Sequence, residues 1–301
     1  MKIQRFDLRT VFLLLALGLV FPVKAEQTNS AAAATKHSLW KVQGKSNAVY
    51  LLGSVHILKK EDYPLPAVME SAFTNARAAA FETDIEALEN PMTALKLLSK
   101  AKLPEGETLQ TQLSPEVYSN FTNHLATARM PAVMFNQFTP VMAATTLVVL
   151  QLQKLGFDEN YGLDKYFFPR AKKAGKRIVA LETVDFQLGL ISDVSKEEGE
   201  LLMKTTLRDI DKLENDFGDL LKAWRTGDAE KLDNLLNEAT REAPAIFKRW
   251  LVDRSKSWIP KIEEMLRGDK DGIVIVGAGH LVGKEGVVEL LRKKGFKVTQ
   301  E

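Results

Sequence analysis

The chain has 301 residues, enough to bury a sizeable core, and its 45% apolar and 27% charged residues suit a globular protein rather than a disordered one. Lys and Arg total 41 against 39 Asp and Glu, interspersed without a basic cluster, which argues against a nucleic-acid partner. Cysteine is absent, so disulfides, thiolate metal sites and cysteine nucleophiles are excluded, and any chemistry falls to His, carboxylates, hydroxyls, amines or a metal held by N and O ligands.

Residues 1–25 read as a secretory signal peptide. Lys2, Arg5 and Arg9 precede an apolar run over 11–21, and Val23 and Ala25 offer small residues for a cleavage site. The run is too short to span a bilayer stably, so an exported protein with no lasting membrane anchor is expected, periplasmic or secreted. Residues 26–36 follow as a flexible leader and 37–301 as a single domain. Lys2, Arg5, Arg9 and Lys24 against Asp7 account for the apparent basicity, because acidic groups outnumber basic ones by one in 26–301.

Residues 40–43 and 47–52 predict a strand hairpin around Gly44-Lys45-Ser46. That tripeptide is no phosphate loop, since no glycine stands five residues upstream. A helix over 66–76 leads to a strand over 78–81, and helices follow over 90–102, 114–127, 140–155 and 162–174. The apolar stretch 141–152 suits a buried helix rather than a membrane span. A strand is predicted over 177–181. From Ser195, whose spacing to Glu198 is that of a capping box, Thr206, Ile210, Leu213, Phe217, Leu221 and Trp224 form one helical stripe expected to pack in the core. Asp228 caps the next helical stretch, Gly268 ends it, and a strand, helix and strand close the chain at 273–276, 286–294 and 297–299. These elements predict an α/β fold, with α+β possible: a central sheet from the two ends of the domain around a helical region of about 90–267.

Two strand ends echo each other. Residues 47–56 align with 271–280, with Gly53 on Gly277 and His56 on His280, so each buried strand meets a glycine and presents a histidine three residues on. Ligands of open α/β sheets bind beyond the carboxyl ends of strands, and Gly53 and Gly277 allow a close approach of backbone to a cofactor there. A second echo sets Ala80-Phe81-Glu82-Thr83 on Ala180-Leu181-Glu182-Thr183; a carboxylate at a buried strand end needs a cation, a metal or hydrogen bonds. Asp84 lies two residues past Glu82, on the same face if the strand continues. Two histidines and one to three carboxylates would supply an N/O ligand set for Zn, Mn, Co or Fe. A strand-end histidine alone is often structural, and Glu82, Asp84 and Glu182 have salt-bridge or capping alternatives. His37 and His124 are expected at the surface. No His-Glu-x-x-His or Gly-x-Ser-x-Gly motif occurs.

With Leu52-Gly53-Ser54-Val55-His56, Phe81-Glu82-Thr83-Asp84, Tyr161-Gly162-Leu163-Asp164, Leu181-Glu182-Thr183, Val276-Gly277-Ala278-Gly279-His280, and Asp253-Arg254 with Trp258, the chain resembles the TraB/PrgY family in its GumN-like branch. One departure is that the family's usual Arg-Asn reads Arg254-Ser255 here. The resemblance implies a fold similar to erythromycin-esterase and ChaN-like proteins, and kinship to the Tiki proteases, which depend on Mn or Co and trim the amino termini of secreted proteins. It maps His56, Glu82 and His280 onto functional positions.

The expectation is metal-assisted hydrolysis of peptide amide bonds. His56, His280 and Glu82 would bind a divalent metal (Mn, Co or Zn), Asp84 or Glu182 would take a proton from water, and Arg254 would stabilise the oxyanion. Two alternatives stand beside it. One is a metal-independent esterase with a histidine base, acting on a small-molecule substrate; the other is a non-catalytic protein that captures haem, iron or a saccharide.

Overall fold

The computed structural model describes residues 36–301, apart from the side chains of 237–241, so the expected signal peptide and most of the leader lie outside the described residues. Six strands form one mixed sheet in the order β4-β3-β5-β2-β1-β6. They are β1 (Leu39–Gln43), β2 (Ala48–Ser54), β3 (Ala78–Phe81), β4 (Arg177–Ala180), β5 (Gly272–Gly277) and β6 (Val298–Gln300). The hairpin β1–β2 is antiparallel, as is β1–β6, whereas β2, β5, β3 and β4 run parallel. The two ends of the domain therefore build the sheet, and the helical middle between β3 and β5 is interrupted only by the short β4.

The parallel strands β3 and β5 are buried along their whole length, as strands covered on both faces must be, and their sequences AAAF and GIVIVG are accordingly uninterrupted by polar residues. Most predicted helices fall within one or two residues of their places, among them Ala67–Asn75, Pro91–Ala101, Pro115–Thr127, Pro140–Lys154 and Leu163–Lys173. The apolar stretch 141–152 lies inside a buried helix, and among the described residues no helix is long and apolar enough to cross a membrane. The stripe from Thr206 to Trp224 is buried at all six positions. Its helix is broken by a 3-10 turn at Ile210–Lys212, dividing Lys196–Asp209 from Leu213–Thr226. Ser195 and Glu198 form the expected capping box, and Asp228 caps Ala229–Glu242.

Among the helices that had not been anticipated are Ile85–Glu89 and Val184–Ser192; the short Leu109–Gln112 is another. Each of the first two starts within three residues of a strand-end glutamate and is capped by a side chain, Asp84 for the first and Thr183 for the second. They turn the chain away from the sheet directly after Glu82 and Glu182, leaving both carboxylates at its carboxyl edge. The alignment of the two histidine strands also differs from their pairing. Gly53 pairs with Val276 and Ser54 with Gly277, one residue out of step with the sequence echo. Both histidines lie beyond the strands, His56 in the loop after β2 and His280 in the 3-10 turn Ala278–His280 that follows β5.

Candidate functional site

His56 follows β2 by two residues and is 4% exposed. Its Nδ1 is hydrogen-bonded to Asp164 Oδ2, which also accepts from Ser54 Oγ. A carboxylate can only accept from the ring, so Nδ1 carries the hydrogen and Nε2 is left to face the interior. Asp164 arrives there on the first turn of helix Leu163–Lys173, whose entry is pinned by Leu163 N donating to Val55 O at 3.1 Å. Gly162 makes that approach possible, because a Cβ there would stand 2.1 Å from the carbonyl oxygen of His56. Gly162→Ala is thus expected to cost about 1–3 kcal/mol by overpacking and to withdraw Asp164 from the ring. Thermal unfolding and nitrogen NMR of His56 check both effects, and an unchanged ring signal would contradict the second.

Nε2 of His56 is buried, has no hydrogen-bond partner and lies 3.9 Å from Glu82 Oε1. Burial alone would push the His56 pKa down, but the charges of Asp164 and Glu82 and the Asp164 hydrogen bond hold it above the ordinary histidine value. Glu82 is fixed from two sides, with Oε1 accepting from Gly277 N–H at 2.7 Å and Oε2 from Arg254 Nη2 at 2.7 Å. Gly277 therefore serves the site through its N–H. Gly53 serves packing, since a Cβ there would lie 3.1 Å from that of Ala278, and its carbonyl accepts from Trp224 Nε1 at 2.8 Å.

Arg254 is 0% exposed and all five of its N–H donors are engaged. Nε donates to Glu182 at 2.9 Å, Nη2 to Glu82 and Glu182, and Nη1 to Trp250 O at 3.1 Å and His280 Nε2 at 3.2 Å. The Trp250 carbonyl belongs to a π-helical turn, Lys248–Val252, that opens helix Asp253–Arg267; such turns recur at functional sites. Glu182 also accepts from Trp258 Nε1 at 2.8 Å and Gln187 Nε2 at 3.1 Å. In this arrangement Arg254 holds the two glutamates in place and has no N–H left for an oxyanion.

His280 meets the cluster through Arg254 and Ser255. Because Arg254 is a donor only, His280 Nε2 must accept from it, and Nδ1 then donates to Ser255 Oγ at 2.9 Å. The hydroxyl of Ser255 thus takes the ring N–H. Asp84 is exposed and its carboxylate accepts from Glu86 N and Ala87 N, so it is a helix cap outside the cluster. Asp84→Ala is expected to cost about 0.5–2 kcal/mol in chemical denaturation without touching the cluster. His37 and His124, expected at the surface, are half-buried and lie outside the cluster. Asp164, which stands in the Tyr161-Gly162-Leu163-Asp164 motif, is the site residue to which the sequence reading gave no role. Its signal was an acid in the first turn of a helix whose neighbours Leu163 and Phe167 are core residues.

The expected ligand set of His56, His280 and Glu82 is therefore brought together only in part. Among the described residues, no three His, Asp or Glu side chains are arranged to hold a metal ion. The partnerless Nε2 of His56 opposite Glu82, on a ring oriented by a carboxylate as metal-bound histidines are, fits a metal held by those two residues.

A parallel-centred α/β sheet with a buried His–Asp–Glu–Arg cluster at its carboxyl edge defines the class of protein. The chain belongs to the TraB/PrgY/gumN family, whose sequence profile matches residues 38–300. It is 25% identical to the uncharacterized protein YbaP of Escherichia coli K12, over 81% of this chain and 87% of that one. It is 23% identical to the metalloprotease TIKI2 of Danio rerio, with 83% of this chain and 57% of that protein covered. With the metalloprotease TIKI1 of Homo sapiens the identity is 24%, and the coverage 86% and 61%. The chain spans about three-fifths of the length of these Tiki relatives. No solved structure matches it.

Proposed function

We propose that the chain is an exported hydrolase of peptide amide bonds whose reacting centre lies between His56 Nε2 and Glu82 Oε1. The observation that carries this reading is the buried, partnerless Nε2, 3.9 Å from Glu82 on a ring held by Asp164. The relatives named metalloproteases support hydrolysis, and the basic, then apolar, leader supports export. A divalent metal, Mn, Co or Zn, would be held by His56 Nε2 and Glu82 and would supply a water of lowered pKa. The chain's own residues prepare the place: Asp164 fixes the ring, Gly277 N–H and Arg254 fix Glu82, and Glu182 with Trp258 fixes Arg254.

The same ring geometry favours a second reading. A histidine with Nδ1 on a carboxylate and Nε2 unpartnered is arranged as a general base, and would attack an ester or amide through water without a metal. Incubation of the purified protein and Mn²⁺ with a mixture of unstructured peptides is expected to release new amino termini, and EDTA to stop the release. Cleavage that survives chelation moves the reading to the base. No cleavage of peptides or esters with Mn²⁺, Co²⁺ or Zn²⁺ removes both.

A further inference from the structure

β4 is the outermost strand beside β3, and among the described residues no strand lies beyond it. Arg177 N donates to Arg77 O at 3.0 Å and Leu181 N to Phe81 O at 2.9 Å, so these residues turn their main chain toward β3. Alternation along a parallel strand then turns the N–H and C=O of Ile178 and Ala180 to the open side. The Ala180 carbonyl shows what meets that side: it accepts from Lys261 Nζ at 2.9 Å, and the same ammonium reaches Leu181 O at 3.0 Å. Ile178, Val179 and Ala180 are half-buried, in contrast to the wholly buried β3 and β5. Two residues past Ala180 stands Glu182, which is held by Arg254 and Trp258.

An open strand edge offers main-chain donors and acceptors in register, which an extended peptide satisfies by adding as a strand. We propose that the outer edge of β4 binds the peptide substrate in this way, with the Lys261 ammonium as the donor that the incoming peptide displaces. The edge leads directly to the candidate site, so a peptide lying along it is delivered to the carboxyl end of the sheet. The proposal rests on the peptide-hydrolase reading for its occupant. Lys261 reaches the edge from helix Asp253–Arg267, and a charge laid over an edge also guards it against strand pairing between molecules; the guard and the displaceable donor are the same contact seen without and with a peptide.

The test uses fluorescein-labelled, unstructured peptides of randomised sequence, about ten residues long to match a strand, with the His56→Ala protein so that none is consumed. Amide hydrogen exchange at Ile178 and Ala180 is expected to slow by about tenfold or more on peptide addition. Ile178→Pro removes an edge-facing N–H at a position where proline is tolerated, and is expected to weaken binding by about tenfold, read by anisotropy. Lys261→Met is expected to tighten it. Unchanged exchange at both amides overturns the proposal, and this readout needs no variant of the edge. Protection without cleavage by the wild-type protein supports the edge while removing the hydrolase reading; cleavage without protection does the reverse.

Discussion

Arg254→Ala is expected to destabilise the protein by about 3–5 kcal/mol, measured by chemical denaturation. The guanidinium is fully buried and is shared by Glu82 and Glu182, themselves 4% and 8% exposed. Removing it leaves two carboxyl groups in the interior with part of their hydrogen bonding gone, and it also deprives His280 Nε2 and the Trp250 carbonyl of a donor. The cost is one of uncompensated burial, so it is context-bound: Glu182→Gln in the Arg254→Ala background is expected to recover part of the loss, which a double-mutant cycle reads as coupling. A loss below about 1 kcal/mol would show that Arg254 behaves like an exposed ion pair and does not organise the site.

Asp164→Asn is the second large effect. Turnover is expected to fall by about 10²–10⁴, with substrate affinity and fold little changed, because the ring of His56 loses the group that fixes its tautomer and direction. The pH behaviour carries a separate sign. His56 has a folded pKa above its ordinary value, so its contribution to stability is complete below that value and is lost as pH rises through the folded one. In Asp164→Asn burial prevails and the pKa drops, so the metal-free variant loses that decline in stability as pH rises above the ordinary histidine value. Titration of the His56 ring by NMR checks the direction, and a pKa that stays raised would shift the cause from Asp164 to Glu82.

The strand-Gly-x-x-His segments were legible because each is local: apolar residues, a glycine exit and a histidine within ten positions. The sheet built from the two ends of the domain and the buried stripe on Thr206–Trp224 were legible for the same reason, a period that a short window reveals. What decides the site is not local. Asp164 meets His56 across 108 positions, and its motif marks an acid in a first helical turn without saying which side chain it meets. The two histidines meet different partners, His56 with Asp164 and His280 with Arg254 and Ser255, and the register that pairs Gly53 with Val276 is likewise a property of packing between distant segments. Asp84 was misplaced for a simpler reason. Its position two residues past Glu82 suggested a shared strand face, but an acid before Ile85-Glu86 is also a helix cap, and the cap prevails because the strand ends at Phe81. Arg254 was expected at the site and is there, yet its neighbours Glu82, Glu182, His280 and Trp250 use every donor it has.

The role of His56 is tested most directly by the rate at which metal-loaded protein cleaves an unstructured peptide mixture, compared between wild type and His56→Ala of matched folding. The account predicts turnover by the wild type and a loss of about 10³ or more in the variant. Equal rates in the two proteins would contradict it.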